Sequence, residues 1–230
     1  VIANPLTGCK GPGLANGGLV KNSMKGKIAL IRRGTCYFSD NVENEKKAGA
    51  VGVSILTNKK FFDGSGIDII NVRDSIDIPV LKKEFIISEY QIFQAKSFGS
   101  DAILLIASIL TKEEILNFSS LAKSMGLEVL LEVHSGVELN KIAGNNIDII
   151  GVNNRNLDTL EIDINNSVEL YKMIPDEFVK ISESGISKVK SILKLKEVGF
   201  DGFLIGTLAP SIGGQGPTLG IACDAENSGF

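Results

Sequence analysis

Charged and polar residues stand where apolar runs of the sequence end, and the lysine and glutamates among them can transfer protons. They are Lys83, Glu132, Asn153, Arg155 and Glu183. A charged side chain inside an apolar run is costly unless it is paired or faces an opening. Each one alone could be a solvated strand end or a structural ion pair, but together they predict one polar site. Burial at the end of an apolar strand should push the pKa of Lys83 down.

Two glycine-containing pairs indicate a second kind of chemistry, the binding of phosphate. Ser184-Gly185 and Gly206-Thr207 each follow an apolar run. Bare backbone N–H groups beside a hydroxyl can hold a phosphate without a cluster of basic residues. Alone, either pair is more typical of a simple turn. We expect the single histidine, His134, to be solvent-exposed or beside a helix N-cap rather than catalytic.

Short apolar runs rich in β-branched residues predict eight strands, most of them buried on both faces. They cover residues 27–32, 51–57, 78–83, 102–106, 128–133, 148–153, 178–182 and 202–206. Helical patterns lie between them. Thr111 with Glu114, and Ser135 with Glu138, match capping boxes that start helices. Helix-ending glycines precede the next strand at Gly49, Gly99, Gly126 and Gly199.

This repeat of strand, loop, helix and glycine predicts an α/β fold, a (β/α)8 TIM barrel spanning residues 25–208. The carboxyl ends of its strands would form one mouth, and the two glycine pairs would follow strands seven and eight, where this fold usually binds phosphate. Residues 1–24 and the Gly-rich tail 209–230 read as irregular cover. The tail offers no closing helix, so we expect the barrel to be incomplete at strand one and at its last helix.

Composition excludes several classes of protein. Hydrophobic residues make up 43% and charged residues 22%, which is typical of a globular domain, and the net charge of −3 gives no basic face for nucleic acid. No apolar stretch is long enough to span a membrane. One histidine and three cysteines argue against a zinc site. The cysteines are most simply free thiols in a reducing cytosol; in a secreted protein Cys9 and Cys36 could pair and leave Cys223 over.

Longer stretches carry a family resemblance, namely SILTNKKFFDGS, DIPVLKKEFIISEYQI, LEVLLEVH, DIIGVNNRNLDTLEID, KISESGIS and GFLIGT. From about residue 52 to 208 the chain resembles indole-3-glycerol phosphate synthase, a lyase of tryptophan biosynthesis. The resemblance implies a cytoplasmic enzyme with a phosphorylated small-molecule substrate, no cofactor and no metal. It makes Lys83 the general acid of ring closure, with Glu132, Asn153 and Glu183 as further catalytic residues. The substrate-binding residues it implies are Phe85 beside the anthranilate ring, Arg155, Ser184, Gly185, Gly206, Thr207 and Arg32.

The two ends resemble something else. GKIALIRRGTCYFSDNVENEKKAGAVGV looks like the core of a protease-associated domain. The start, VIANPLTGC, and residues 209–230 are compatible with the same module, so residues 1–52 and 209–230 together make the chain look like a chimera. In strand one the synthase pattern has a Glu and a Lys, and Leu30 and Arg32 stand at those positions. The resemblance therefore implies impaired synthase activity. The alternatives are a noncatalytic protease-associated-type interaction module or an inactive phosphate-binding barrel.

Overall fold

Nine strands close into one barrel in the part of the chain that the computed structural model describes. That part comprises residues 27–31, 50–74, 76–142, 146–157, 159–186, 189–207 and 218–223. The strands are β1 (Lys27–Ile31), β2 (Ala50–Leu56), β3 (Val80–Lys83), β4 (Ala102–Ile106), β5 (Glu128–Val133), β6 (Ile149–Asn153), β7 (Val179–Glu183), β8 (Gly202–Thr207) and β9 (Thr218–Cys223). Each strand pairs with the next strand along the chain, so the order of the strands in the sheet is the same as their order in the sequence.

Helices connect most of the strands. They are α1 (Lys59–Phe62), α2 (Ile67–Arg73), α3 (Glu89–Ser97), α4 (Lys112–Ser124), α5 (Gly136–Leu139), α6 (Asn165–Tyr171) and α7 (Val189–Val198). The predicted N-caps at Thr111 and Ser135 are confirmed, because each hydroxyl accepts the backbone N–H of the glutamate three residues on. The helix predicted to end at Gly49, between the first two strands, lies outside the described residues.

The eight predicted strands are confirmed, and β1 to β8 run parallel to one another. A ninth strand was not predicted. We expected residues 209–230 to be irregular, but residues 218–223 form β9, which pairs antiparallel with both β8 and β1. Only residues 208–217 separate β8 from β9. That connection is shorter than a parallel crossover requires, so the chain turns back and closes the gap antiparallel.

Two layers of apolar side chains hold the barrel together. The interior layer packs Leu81, Leu104, Leu130, Ile181 and Leu204 against one another across the strands. A larger layer lies between the strands and the surrounding helices. The interior layer fills the barrel below its mouth. The next inward-facing residue of each strand, two positions later, therefore lies at the mouth. No helix among the described residues is long and apolar enough to cross a membrane.

Candidate active site

The two-residue period of the strands places the central cluster of the site. In β3, β5 and β7 the inward residue Leu81, Leu130 or Ile181 is followed two positions later by Lys83, Glu132 or Glu183. Alternate residues of a strand point to the same face, so all three polar side chains emerge above the interior layer. The Lys83 Nζ lies 3.0 Å from Glu183 Oε2 and 3.6 Å from Glu132 Oε2.

The three charges are almost entirely withdrawn from solvent. The side chains of Lys83, Glu132 and Glu183 are 12%, 5% and 1% exposed. Burial acts to lower the pKa of Lys83, but the two carboxylates raise it above its usual value overall. The expectation of a depressed lysine pKa is therefore wrong, because it counted desolvation and omitted the partners. Lys83 is held as an ammonium that can donate a proton.

The two carboxyl groups share one lysine, and their environments separate them. Burial acts to raise the pKa of Glu132, yet Lys83, the Asn153 amide and His134 lower it overall. Burial raises the pKa of Glu183 to about 7, with Lys83 opposing and the charge of Glu132 reinforcing the rise. When two carboxyl groups share one compensating charge, one stays ionised and the pKa of the other rises. Near neutral pH the site thus holds a permanent carboxylate, Glu132, and a proton exchanger, Glu183.

Asn153, at the end of β6, is the fourth member of the cluster. Its Nδ2 donates to Glu132 Oε1 at 2.9 Å, and its Oδ1 accepts the backbone N–H of Arg155 at 2.9 Å. The amide therefore orients Glu132 while its own orientation is fixed by the loop that follows. This leaves Glu132 Oε2 towards Lys83 and Oε1 towards Asn153.

The turn after β7 has the backbone strain expected of a functional loop. Ser184 and Gly185 have φ of 67° and 73°, in the left-handed region that side chains disfavour. The buried Asn154 amide donates to the Ser184 carbonyl at 3.1 Å and so helps to hold the turn. A Cβ on Gly185 would come within 2.1 Å of the Ile162 side chain, so glycine is required there on two grounds.

An aromatic wall stands beside the cluster. Phe85 follows β3 and packs edge-on against Phe61 at 5.5 Å between ring centroids, and it stacks with Phe62 at 6.4 Å. Glu84 joins the two loops that carry these rings, since its carboxylate accepts from Thr57 Oγ1 at 3.0 Å and Asn58 Nδ2 at 2.7 Å. An aromatic cluster therefore lies at the end of β3, with Phe85 two residues after Lys83.

Other residues from the predicted site lie elsewhere or cannot be placed. Arg155 directs its Nη1 to the Leu160 carbonyl at 3.1 Å, within its own loop rather than towards Lys83. Gly206 and Thr207 lie within β8, paired with Leu219 and Thr218 of β9, and do not follow the strand as predicted. Arg32 is outside the described residues.

His134 differs from expectation in one respect. It adjoins the N-cap residue Ser135, as predicted, but its side chain is only 11% exposed and lies beside Glu132. Its position two residues after Glu132 carries it over the rim of the barrel, where α5 covers it. The prediction that the ring would be solvent-exposed was wrong, because it did not include the contact between Glu138 of the predicted helix and the ring.

Gly151 is a site residue that sequence reasoning missed. It lies in the middle of β6, in register with Glu132 on one side and Ile181 on the other. A Cβ here would stand 2.0 Å from Glu183 Oε1, so the absent side chain is the space that the Glu183 carboxyl occupies. A glycine inside an otherwise β-branched strand was the available signal, since it marks a close approach of other atoms.

The fold and cluster define a (β/α)8-type barrel with a buried acid–base site at the carboxyl ends of its strands. The sequence comparisons narrow this class. The family model for indole-3-glycerol phosphate synthase matches residues 34–209. The chain is 48% identical over 172 residues to the indole-3-glycerol phosphate synthase of Bacteroides thetaiotaomicron, covering 75% of this chain and 66% of the relative. It is 39% identical over 199 residues to the synthase of Caldanaerobacter subterraneus subsp. tengcongensis, covering 81% and 77%. The chain belongs to the indole-3-glycerol phosphate synthase family.

The extent of these matches refines the boundaries. The chain spans about two thirds of the length of the first relatives, 66% and 69%. The family match begins at residue 34, inside the stretch that we compared with a protease-associated domain, so the synthase-like region starts earlier than residue 52. A solved structure described as "Native KDPGal structure" is similar with a TM-score of 0.54 and 15% identity over 75% of this chain and 78% of that one, which supports the fold alone.

Proposed function

We propose that this chain carries out the indole-3-glycerol phosphate synthase reaction. The substrate would be 1-(2-carboxyphenylamino)-1-deoxyribulose 5-phosphate, and the products indole-3-glycerol phosphate, CO2 and water. The observation that carries the proposal is the buried triad of Lys83, Glu132 and Glu183 at the mouth of a barrel from this family. A phosphorylated small molecule is its substrate class, and the location would be cytoplasmic.

Lys83 is the proposed general acid of the first step. As the aromatic carbon attacks the ketone carbon, a C–C bond forms and the ketone oxygen takes the Lys83 proton to become a hydroxyl. The carboxylate on the attacking ring carbon then leaves as CO2, and the electrons of the broken C–C bond restore the aromatic ring. The raised pKa keeps Lys83 protonated at neutral pH but also makes it a weaker acid than a lysine with a lowered pKa. Its role as the general acid therefore rests on the family resemblance and on its position at the mouth of the barrel.

Dehydration is the proposed task of the carboxyl groups. The new hydroxyl leaves as water when it receives a proton, and a proton is removed from the neighbouring carbon to form the indole double bond. Glu132, ionised and oriented by Asn153, suits uptake of a proton. Glu183, with a pKa of about 7, suits the return of protons between steps.

The remaining parts of the substrate have counterparts around the triad. Phe85, stacked with Phe62 and packed edge-on against Phe61, offers an aromatic surface for the anthranilate ring. The strained Ser184-Gly185 turn offers backbone N–H groups to the phosphate. We assign Gly206 and Thr207 a contribution to phosphate binding and Arg155 a role in substrate binding on the resemblance alone.

The test is an assay of indole formation by fluorescence, run in parallel with binding of the reduced, non-cyclising substrate analogue. Turnover that Lys83→Met abolishes, with analogue binding retained, is the expected result. Binding without turnover in the unaltered chain would favour an inactive phosphate-binding barrel instead. The absence of both turnover and analogue binding would contradict the proposal.

The first strand limits the expected rate. Leu30 lies in β1 in register with Ser54, whose buried hydroxyl has no hydrogen-bond partner among the described residues. A glutamate at position 30 is what the family resemblance implies. We propose that Leu30→Glu combined with Arg32→Lys raises turnover by more than either change alone, because groups that act as a unit are non-additive. An unimproved rate in the double variant would contradict this alignment of strand one.

A further inference from the structure

The only histidine of the chain lies between two carboxylates at the rim of the barrel. The His134 Nε2 is 3.4 Å from Glu132 Oε1, and its Nδ1 is 3.4 Å from Glu138 Oε2. The side chains of the three residues are only 11%, 5% and 15% exposed. An imidazole flanked on both nitrogens by carboxylate oxygens is in the arrangement that favours its doubly protonated form.

The backbone around His134 fixes this geometry. Glu138 Oε2 accepts the backbone N–H of His134 at 2.8 Å, and Asn166 Nδ2, from α6, donates to the His134 carbonyl at 3.1 Å. Neither ring nitrogen has an aligned hydrogen bond to another described residue, so the ring is held by these charges and by packing. The backbone of His134 is therefore held from both α5 and α6, which fixes the point at which the ring leaves the chain.

The charges that face the imidazole come from three elements. Glu132 lies on β5, Glu138 on α5 and Glu183 on β7. The ammonium of Lys83 faces Glu132 Oε2, whereas the imidazole faces Glu132 Oε1. Burial acts to lower the pKa of His134, but Glu138, Glu132 and Glu183 raise it overall. Its cation in turn lowers the pKa of Glu132.

We propose that His134 is a positioning residue that, as an imidazolium, holds Glu132 ionised and aimed into the barrel, with Glu138 on α5 fixing the imidazolium from behind. The chain Glu138–His134–Glu132–Asn153 then runs from the rim to the acid–base cluster. It gives the site a second cation beside Lys83. This inference rests on the proposed function for its catalytic consequence, but its electrostatic content can be tested without turnover.

A single histidine makes the decisive measurement simple, because the imidazole Cε1 resonance belongs to His134 alone. Titration by NMR should give a midpoint above the ordinary 6.5 in the unaltered chain. Glu132→Gln and Glu138→Gln should each lower that midpoint by about 1 pH unit, since each removes a facing charge. Glu128→Gln, at the opposite end of β5, is the matched control and should leave it unchanged.

The reciprocal measurement protects the test against a variant that folds poorly. In the chain with selectively labelled glutamate, His134→Asn should raise the midpoint of the Glu132 side-chain carboxyl by about the same amount, as linkage requires. A His134 midpoint that ignores Glu132→Gln, or a Glu132 midpoint that ignores His134→Asn, overturns the proposal.

Turnover separates this inference from the proposed function. In an active chain, the acidic limb of the kcat/KM profile should move to higher pH in His134→Asn, whereas a merely structural role would lower the rate at every pH. Coupled midpoints in a chain without synthase activity would support the positioning role and refute the proposed function. Activity with uncoupled midpoints would do the reverse.

Discussion

Both ends of the barrel carry carboxylates, but the two ends use them differently. At the amino end of the strands, Asp101, Asp148 and Asp201 each accept a backbone N–H of an adjacent strand at 2.8 Å. Arg73 and Lys123 neutralise the first two of these, and Asp101 is 40% exposed at its side chain. At the mouth, Glu132 and Glu183 are 5% and 1% exposed and share Lys83.

The difference follows from what each end must do. A carboxylate fixed on a backbone N–H holds two strands in register, and it is satisfied whatever occupies the mouth. One ammonium cannot compensate two buried carboxylates, so one of the carboxyl groups exchanges its proton near neutral pH. This arrangement lowers stability but is useful for proton transfer. We therefore expect substitutions at the mouth to change activity first, and substitutions at the amino end to change stability alone.

The largest expected effect is from Lys83→Met. Removal of the ammonium should lower turnover by about 100- to 10,000-fold, the range of a general acid. Lys82→Met is a matched control, because Lys82 is the adjacent lysine of β3 but donates instead to the Gln91 carbonyl and Gln94 on α3. Fluorescence assays of both variants should show activity retained only in the control. Equal losses in both would contradict the central role of Lys83.

The next effect is from Gly151→Ala, which places a methyl group where Glu183 lies. A displacement of about 1 Å at a reacting group can lower the rate about 100-fold, and we expect a loss of that order. Combining it with Glu183→Asp, whose shorter side chain makes room, should restore part of the activity relative to Gly151→Ala alone. If the double variant is no better than the sum of the single losses, Gly151 does not act through Glu183.

Glu183→Gln should change how stability depends on pH. The folded-state pKa of Glu183 is raised from 4.5 to about 7, so between those values the folded chain retains a proton that the unfolded chain has lost. The free energy of unfolding therefore falls as pH rises through this window. Urea unfolding at pH 5 and pH 8 measures this. The free energy of unfolding of Glu183→Gln, relative to that of the unaltered chain, should be about 1–3 kcal/mol higher at pH 8 than at pH 5. A constant difference would contradict the raised pKa.

Much of this contrast could be predicted from the sequence. The predicted strands 102–106 and 128–133 coincide with β4 and β5, because continuous apolar runs bounded by caps and glycines leave little choice of boundary. The clustering of Lys83, Glu132 and Glu183 also followed from strand ends alone. A two-residue period and a parallel sheet bring such residues together whatever the loops do.

The rest depended on contacts between distant parts of the chain. The pKa of Lys83 is set by Glu183, one hundred positions away, and no local pattern gives the sign of that balance. The ninth strand depended on the gap that β8 and β1 leave between them. Residues 218–223 have no strong strand pattern of their own. They form a strand because the edges of β8 and β1 have backbone N–H and C=O groups that need a hydrogen-bonding partner.

The smallest expected effect tests the amino end. Asp101→Asn keeps an oxygen for the Val80 N–H and removes the charge that faces Arg73. The Arg73–Asp101 pair is 32% and 40% exposed at its side chains, so its loss should lower the free energy of unfolding by less than about 1 kcal/mol. Asp101→Ala also leaves the N–H of the fully buried Val80 without its partner, and should lower it by about 1–3 kcal/mol. Chemical unfolding of both variants measures this order, and turnover of the folded protein should be unchanged in each. If Asn proved as damaging as Ala, the ion pair rather than the backbone contact would hold this end, and a loss of turnover would show that the two ends of the barrel are not independent.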